Sequence, residues 1–354
     1  MFWLIFRTTI YLSLFALIWY GGQFYISSEL NKDLHKMTPD TIFVNKKILE
    51  NQDYAIEQDG SYTYPFATIT QALEVIQKDD TITIIISDGS YDEELILPEN
   101  TTLYGDGAVT ISQGIDVPSI RTITTANNTK LINLTVTGGN HTIYIPHNTS
   151  LTLLNSTISG ADDFGIKMDK KERAPDFKES TTNLVYEFFN KTKEEIEAMP
   201  LVRISNSTIT KNDNQGLYLQ NGRVEILNSQ VIENGEEGID LHPHMHTTIK
   251  NTNASNNGES GLESEIYDNI IIIENSTFNN NIKNGLGFIT SHGLGNITVS
   301  NNTINDNQKF GIRCAVHKSK PKQPRPFFSS MITNINNTLE NNIKANIDST
   351  CITF

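Results

Sequence analysis

The sequence predicts a right-handed parallel β-helix, an all-β solenoid in which each coil stacks on the previous one. Three observations carry this prediction: a repeat of 22 to 26 residues, a period of two within each repeat, and turns rich in Asn and Gly. Two short strands per repeat cannot bury their apolar face alone, and stacking buries it. A leucine-rich repeat is excluded because its spaced leucines and helical half are absent.

The repeat is marked by an asparagine that recurs seven times, hereafter the landmark Asn. A glycine follows ten residues after each of the first six, and Asn346 takes that place in the seventh. We expect this position to need left-handed backbone geometry, which Gly and Asn tolerate. We also expect the landmark amides to hydrogen-bond up the stack, an interpretation preferred over glycosylation of the Asn-x-Ser/Thr sites. The landmarks are Asn155, Asn206, Asn228, Asn251, Asn275, Asn301 and Asn336, and the glycines are Gly165, Gly216, Gly238, Gly261, Gly285 and Gly311.

Apolar residues alternate on both sides of the landmark. The positions four and two before it are mostly branched, as in Val224 and Ile226. The first and third residues after the glycine are also mostly apolar, as in Ile239 and Leu241. This alternation predicts strands with one face inward, so the second and fourth residues after each glycine point outward.

Charge and the N-terminus suggest an exported protein. The formal net charge of the 354 residues is −14, which argues against nucleic-acid binding. Residues 1–26 are predicted to be a signal-anchor helix or a signal peptide, because the run from Phe2 to Tyr20 carries only the charge of Arg7. Residues 27–58 are predicted to be a linker and 59–354 the solenoid. We therefore expect an extracytoplasmic monomer, either anchored in the membrane by the N-terminal helix or secreted.

The cysteines do not indicate a disulfide framework. The chain has only Cys314 and Cys351. Both occupy positions predicted to face the interior, and we expect them to be buried small apolar residues rather than a bridge.

Short motifs precede the repeats, and they resemble a known family. They are Asp59-Gly60-Ser61, Pro65-Phe66-Ala67-Thr68-Ile69, Ala72-Leu73, Asp80-Thr81-Ile82 and Gly89-Ser90-Tyr91. Together they resemble the N-terminal portion of pectate-lyase-like β-helix proteins. The resemblance implies a short helix, about Ile69 to Gln77, that closes the solenoid. A cap is required because a terminal coil exposes unpaired backbone.

The outward residues predict columns of functional groups. Neighbouring coils lie ~4.8 Å apart, so residues at the same position in successive coils are close. A phenol, an imidazole and three carboxylates would then share one patch and could perform acid–base chemistry, although every solenoid has a solvated polar face. The second position gives Lys167, Tyr218, Asp240, Glu263, Gly287 and Arg313, and the fourth includes Gln220, His242 and Glu265.

Two insertions, about residues 170–200 and 316–330, leave the chain just after the strands of Lys167 and Arg313. We expect them to flank the face that carries Asp240. The second insertion is basic from His317 to Arg325, which an anionic polymer would require. The alternative is a solvated proline-rich loop.

The stretch around His242 could also hold a metal. His242, His244 and His246 are alternate residues, and alternate residues of a strand share a face. Pro243 interrupts the strand, however, so we assign no metal site. No cofactor follows from the sequence, and a dependence on Ca²⁺ stays open.

Two successive coils resemble the mannuronan C5-epimerases. They read Glu237-Gly238-Ile239-Asp240-Leu241-His242 and then Asn251 to Gly261, and the family's active coil carries Tyr-Gly-apolar-Asp-Pro-His. The resemblance covers about residues 200 to 315 and places Asp240 and His242 on the catalytic Asp and His. A shift of one residue would use His244 instead. Glu237 stands where the family has tyrosine, and Leu241 where it has proline.

The resemblance implies C5 epimerisation or β-elimination on an acidic polysaccharide of the alginate or pectin type. His242 is then the expected base, and Asp240 with Glu263 the groups that bind or orient the substrate carboxylate. Tyr218 is the expected acid because of its place in the column, one coil before Asp240, since the family's own tyrosine position holds Glu237. Two alternatives stay open: a polygalacturonase-like hydrolase that uses Asp240 and Glu263, and a non-catalytic glycan-binding or adhesin scaffold. The remaining candidates for substrate binding are Glu265, Lys167, Arg313 and Gln220.

Overall fold

The structure, a computed structural model, describes residues 40–50, 58–77, 80–113, 120–168, 196–197, 199, 201–220, 222–267, 269–290, 295–316 and 331–352. Nearly all of them belong to one compact unit, Ile42–Phe354, and the other unit, Met1–Thr41, is described only at its last two residues. Across these ranges, none of the helices has the length and apolar character needed to cross a membrane. The predicted signal-anchor of residues 1–26 lies outside the described residues.

The strands form two sheets in which successive coils pair in parallel. The larger sheet has fifteen strands within the described ranges and bends at the landmark Asn. Its strands are β1 Thr41–Val44, β2 Ile82–Asp92, β4 Thr101–Ser112, β6 Thr129–Ile132, β7 Thr135–Thr137, β9 Leu151–Leu154, β10 Thr157–Ser159, β12 Leu201–Ser205, β13 Thr208–Thr210, β15 Gly222–Leu227, β16 Gln230–Ile232, β18 Met245–Lys250, β20 Asn269–Glu274, β22 Gly295–Ser300 and β24 Ile332–Ile335.

The smaller sheet has ten strands in the same ranges and follows the repeat glycines. Its strands are β3 Leu95–Ile96, β5 Arg121–Thr124, β8 His141–Ile145, β11 Phe164–Met168, β14 Leu217–Leu219, β17 Ile239–Leu241, β19 Leu262–Ile266, β21 Leu286–Thr290, β23 Phe310–Val316 and β25 Ala345–Ile347. A 3₁₀ helix spans Lys46–Glu50, and the α-helices are α1 Ile69–Glu74 and α2 Ser349–Ile352.

The core lies inside the coils, as the period of two predicts. In one coil, Ile226 of β15, Val231 of β16 and Leu241 of β17 are fully buried. Residues alternate between buried and partly exposed along β15. Each such aliphatic side chain contributes about 1.5–3 kcal/mol when it leaves water, and the stack repeats this contribution in every coil.

The landmark Asn forms the bend of the larger sheet rather than a continuous amide ladder. All seven landmarks have positive φ, between 49° and 55°, a region where Asn is tolerated and most residues are strained. One side-chain bond joins two of them, from Nδ2 of Asn251 to Oδ1 of Asn228 at 3.0 Å. The prediction that the landmark amides bond up the whole stack was therefore wrong. The bend needs the left-handed backbone of this residue.

The ladder lies six residues later, inside the solenoid. Each of its first five amides donates from Nδ2 to Oδ1 of the next, at 2.8–3.2 Å, and the sixth donates to Oδ1 of Asn346 at 3.0 Å. The same oxygen also accepts from a backbone N–H, as Oδ1 of Asn257 does from Asn234 at 3.1 Å. Buried amides must be paired in this way because an unsatisfied one is costly. The members are Asn212, Asn234, Asn257, Asn281, Asn307 and Asn342.

The repeat glycines allow this ladder to pack closely. None of the six has positive φ, so the expectation that their position needs left-handed geometry was wrong. A Cβ on Gly238 would lie 2.6 Å from Nδ2 of Asn257 and 2.8 Å from the carbonyl oxygen of Gly261. Glycine is required there because the ladder amide and the next backbone leave no room for a side chain.

The N-terminal end of the solenoid is closed as predicted by a short helix, α1, which ends three residues earlier than expected. Thr68 and Gln71 form a reciprocal capping box at its start. The carboxylate of Glu93 accepts from the backbone N–H groups of Ile69 and Thr70, at 3.0 and 2.7 Å. Strand β1 pairs with β2 and buries Phe43 and Val44. Packing of the solenoid thus begins within the segment 27–58 that the sequence analysis treated as a linker.

The C-terminal end is closed by a disulfide. Cys314 of β23 is bonded to Cys351 of α2, with Cα atoms 5.1 Å apart and a sequence separation of 37. The expectation of two separate buried thiols was therefore wrong. Strand β23 is the last long strand of the ten-stranded sheet. The bond forms because the chain returns as α2 beside the part of β23 that the short strand β25 does not cover.

The two predicted insertions lie almost entirely outside the described residues. This holds for residues 170–200, apart from a few positions near 197, and for the basic residues 317–325. Their expected place beside the Asp240 face stays a prediction.

Candidate functional site

The outward residues of the ten-stranded sheet form the predicted column. Tyr218 is in register with Asp240, and Asp240 with Glu263. Residues paired in register on parallel strands point to the same face of the sheet, so their side chains can act on a single ligand. In order along the stack the column consists of Lys167, Tyr218, Asp240, Glu263, Gly287 and Arg313.

His242 joins this column at the end of β17. Its Nε2 lies 3.3 Å from Oδ2 of Asp240, and the two side chains are 26% and 19% exposed. Its ring contacts that of Tyr218, with centroids 4.5 Å apart. Nε2 is buried and makes no hydrogen bond, so the carboxylate of Asp240 acts on the imidazole through its charge at this distance. The sequence-predicted base, acid and orienting carboxylate are thus brought together.

The other predicted residues differ in their surroundings. Gln220 is buried and donates from Nε2 to the Tyr218 hydroxyl at 2.6 Å, so it positions the phenol. Glu265 is exposed on β19. His244 lies in the turn after β17 with φ of 63°, and its ring contacts Tyr267.

Glu237 was not predicted to act, yet it is the most perturbed carboxyl of the site. It is 5% exposed and accepts from Nε2 of Gln215 at 3.1 Å. Burial, then the hydrogen bond and charge of Glu259, raise the pKa of Glu237 to about 9. The negative charges of Glu263 and Asp240 act in the same direction. Glu237 therefore carries a proton at neutral pH and donates it to Glu259.

Replacing Glu237 with Gln is expected to change how stability depends on pH. Between about pH 5 and pH 9 the folded protein keeps a proton that an unfolded Glu237, with its ordinary pKa of 4.5, has released. This raised pKa makes wild-type stability fall as pH rises, by up to about 1.4 kcal/mol per pH unit. The amide of Glu237→Gln keeps both hydrogen bonds without titrating. Urea unfolding across this range should show that the free energy of unfolding of Glu237→Gln rises relative to that of wild type as pH rises.

The control for this experiment is Glu99→Gln, which removes one carboxylate from an exposed position. It separates the loss of a surface charge from the loss of the buried proton. A difference between Glu237→Gln and wild type that stays constant with pH would mean that Glu237 is ionised in the folded protein.

Glu263 and Arg313 approach each other across Gly287. A Cβ on Gly287 would lie 3.2 Å from Oε2 of Glu263, so the Glu263 side chain extends over this glycine. Burial raises the pKa of Glu263, Asp240 raises it further, and Lys283 and Arg313 oppose the rise. Glycine at this point of the column is what lets the carboxyl and the guanidinium act on each other.

A row of rings continues the site towards the N-terminus, hereafter the aromatic strip. Ring centroids of His141 and Tyr144 are 6.4 Å apart, those of His141 and Phe164 5.2 Å, and those of Phe164 and Tyr218 4.7 Å. The contact of Tyr218 with His242 completes the strip at Asp240. The rings come from β8, β11, β14 and the end of β17, which are successive strands of the ten-stranded sheet.

The residues that sequence reasoning missed have identifiable signals. Tyr144 occupies the same column as Lys167, one coil earlier, and extending the column would have found it. His141, Phe164 and Glu237 lie before the inward-pointing strand residues, where the alternation gives no direction. In the ranges that the structure covers, no three His, Cys, Asp or Glu side chains converge to hold a metal ion.

Comparisons with known proteins agree with this architecture. The family described as "Right handed beta helix region" matches residues 195–351. The fold is a right-handed parallel β-helix. Among solved structures, pectate lyase Pel9A is similar at 13% identity and a TM-score of 0.56, over 87% of this chain and 78% of that one. The Azotobacter vinelandii mannuronan C-5 epimerase AlgE6 A-module is similar at 14% identity and a TM-score of 0.51, over 77% of this chain and 71% of that one.

At such identities the likeness to this β-helix is one of fold. It confirms the pectate-lyase-like and epimerase-like architecture expected from the sequence motifs. No curated protein matches the chain in sequence. What the β-helix does must therefore be argued from its own side chains.

Proposed function

We propose that the protein modifies uronate-containing polysaccharides by removing the C5 proton of a sugar residue, as a C5-epimerase or a β-elimination lyase. The observation that carries this proposal is the contact of Asp240, His242 and Tyr218 on one outer sheet face. An imidazole with an orienting carboxylate is a general base, and a phenol beside it is a general acid.

In this mechanism the imidazole of His242 takes the C5 proton, and the negative charge of Asp240, 3.3 Å from Nε2, stabilises the imidazolium that forms. The electron pair of the broken C–H bond is delocalised towards the neighbouring carboxyl group, where positive charge or donated protons stabilise it. In elimination the pair forms the C4–C5 double bond, and O4 leaves with a proton from Tyr218. In epimerisation the phenol instead returns a proton to C5 from the opposite face.

The test is incubation of the full-length protein with alginate and with pectin. Ultraviolet absorbance of an unsaturated uronate indicates elimination, and a changed anomeric pattern in proton NMR indicates epimerisation. Asp240→Asn and His242→Ala are each expected to lower the rate about 10²- to 10⁴-fold, the usual effect of a lost base or its orienting group. Full activity in both variants would refute the assignment.

Two further variants make this test specific. His244→Asn keeps a residue that tolerates positive φ and should retain activity, whereas loss of activity would select the shifted alignment that uses His244. Lys250→Gln removes a partly exposed lysine that pairs with Glu274 on the other sheet, and it should leave the rate unchanged.

A hydrolase is a second candidate, favoured by the environment of Glu263. Asp240 and Glu263 are register neighbours, and burial with the charge of Asp240 raises the pKa of Glu263. Two neighbouring carboxyl groups, of which one has a raised pKa, can act as acid and base in glycoside hydrolysis. New reducing ends without unsaturated product, lost in Glu263→Gln but kept in His242→Ala, would select this mechanism over proton abstraction at C5.

The proposal also places the solenoid outside the cytoplasm, secreted or anchored by residues 1–26. The disulfide between Cys314 and Cys351 supports this location, because such bonds persist in oxidising compartments and are rare in the cytosol.

A further inference from the structure

The aromatic strip carries positive charge at the end that lies away from Asp240. The guanidinium carbon of Arg121 is 3.5 Å from the ring centroid of Tyr144. Nζ of Lys167 is 5.0 Å from the ring centroid of Phe164 and 3.3 Å from Nε2 of His141. Burial and then the charge of Lys167 lower the pKa of His141, so its neutral ring accepts from Lys167. The carboxylate of Asp163 lies 3.8 Å from Nδ1 of His141 and offsets one of the two cations, which leaves this end with a net positive charge.

The opposite end of the same face is negative. Asp240, Glu259 and Glu263 meet there, and their mutual effects appear in the raised pKa values of Glu237 and Glu263. Lys283 forms an ion pair with Glu259, and Arg313 acts on Glu263 across Gly287. These two cations offset two of the three carboxylates, which leaves this end with a net negative charge. Between the two ends lie the rings of Tyr218 and His242.

This separation of charge matters for a sugar chain that follows the strip. The C–H faces of sugar rings are apolar and pack against aromatic rings, which orients the chain along the stack. A uronate carboxylate near Lys167 and Arg121 gains charge-assisted hydrogen bonds. The same carboxylate over Asp240 and Glu263 meets like charges in a partly buried place and is repelled.

We infer that the site binds a chain of mixed charge, with an acidic sugar over Lys167 and Arg121 and an uncharged, ester-bearing uronate over Asp240 and Glu263. This inference rests on the proposed function and names its substrate class, a partly esterified polyuronate. An ester carries no negative charge. The C5 proton beside it can therefore be removed without a cation that neutralises a carboxylate.

The test uses homogalacturonan in three preparations, with none, part or all of its carboxyl groups methyl-esterified. Rate and affinity should both be highest for the partly esterified polymer. The unesterified polymer is disfavoured at Asp240 and Glu263, and the fully esterified one lacks a partner for the cations. A preference for the unesterified polymer would overturn the inference.

The variant Lys167→Gln tests whether the positive charge at the aromatic strip binds the acidic sugar. It should raise KM about tenfold on the partly esterified polymer, the usual effect of losing one charge-assisted hydrogen bond, with kcat unchanged. On the fully esterified polymer the change should stay below about twofold. The matched control, Lys130→Gln, removes an exposed lysine from β6 of the other sheet. Equal effects of Lys167→Gln on both polymers would refute an ionic role.

Calorimetry of polymer binding to His242→Ala, which lacks the proposed base, distinguishes the proposed C5 chemistry from the inferred preference for a partly esterified polymer. Binding in the expected order by this variant, with no turnover of any polymer by wild type, would support the inference and refute the proposed C5 chemistry. Turnover by wild type that is fastest on the unesterified polymer would support the chemistry and refute the inference.

Discussion

Replacing Asn257 with alanine is expected to lower the free energy of unfolding by about 4 kcal/mol, because each buried group left unsatisfied costs about 1–3 kcal/mol. Its Oδ1 accepts from the backbone N–H and the Nδ2 of Asn234. Its Nδ2 donates to the carbonyl of Val231 and to Oδ1 of Asn281. All these partners lie inside the solenoid, where water cannot replace the lost amide. Urea or guanidinium unfolding measures the loss.

The matched control for this variant is Asn228→Gly in the preceding coil. Glycine keeps the left-handed backbone of the landmark, φ 49°, and removes a side chain of the outer bend. We expect its cost to stay below about 1 kcal/mol, the usual entropic effect of an added glycine. Similar losses in the two variants would mean that the inner ladder contributes no more than the outer bend.

Loss of the disulfide is expected to cost about 4 kcal/mol in the chain-entropy account, given that Cys314 and Cys351 are 37 residues apart. Without the bond, α2 is free to leave the end of β23, and the last coil then exposes its edge. Cys351→Ala should show this loss in denaturant unfolding. Wild type treated with a thiol reductant should fall to the same level.

The same variant supplies the control for this experiment. Cys351→Ala has no bond to reduce, so reductant should leave its stability unchanged. Wild type that is as stable with reductant as without it, although thiol titration shows both cysteines reduced, would refute a stabilising role for the bond.

The solenoid and its outer column could be predicted because strand alternation shows, for every strand residue, whether its side chain points inward or outward. Tyr218, Asp240 and Glu263 each follow a repeat glycine by two positions, and this spacing alone determines their shared face. The turns carry no alternation. Asn228 and Asn234 recur with the same period, so spacing cannot tell which amide points inward.

The remaining features depend on contacts between distant coils. Glu237 precedes the strand, and its raised pKa arises from burial and from Glu259 in the next coil. The pairing of Cys314 with Cys351 spans an insertion whose length hides their proximity. Neither contact leaves a periodic pattern in the sequence.

The close approach at Gly238, Gly261 and the other repeat glycines has a consequence for how such a face could evolve. Backbone, inner amides and buried apolar side chains set the distance between coils, and the contacts among outward side chains do not determine it. Most positions of the column can therefore exchange their side chain without moving the backbone of the neighbouring coils, whereas at Gly287 a side chain would press on Glu263. Substrate preference could then drift coil by coil at nearly constant stability, and designed panels of column variants should fold alike while differing in what they bind.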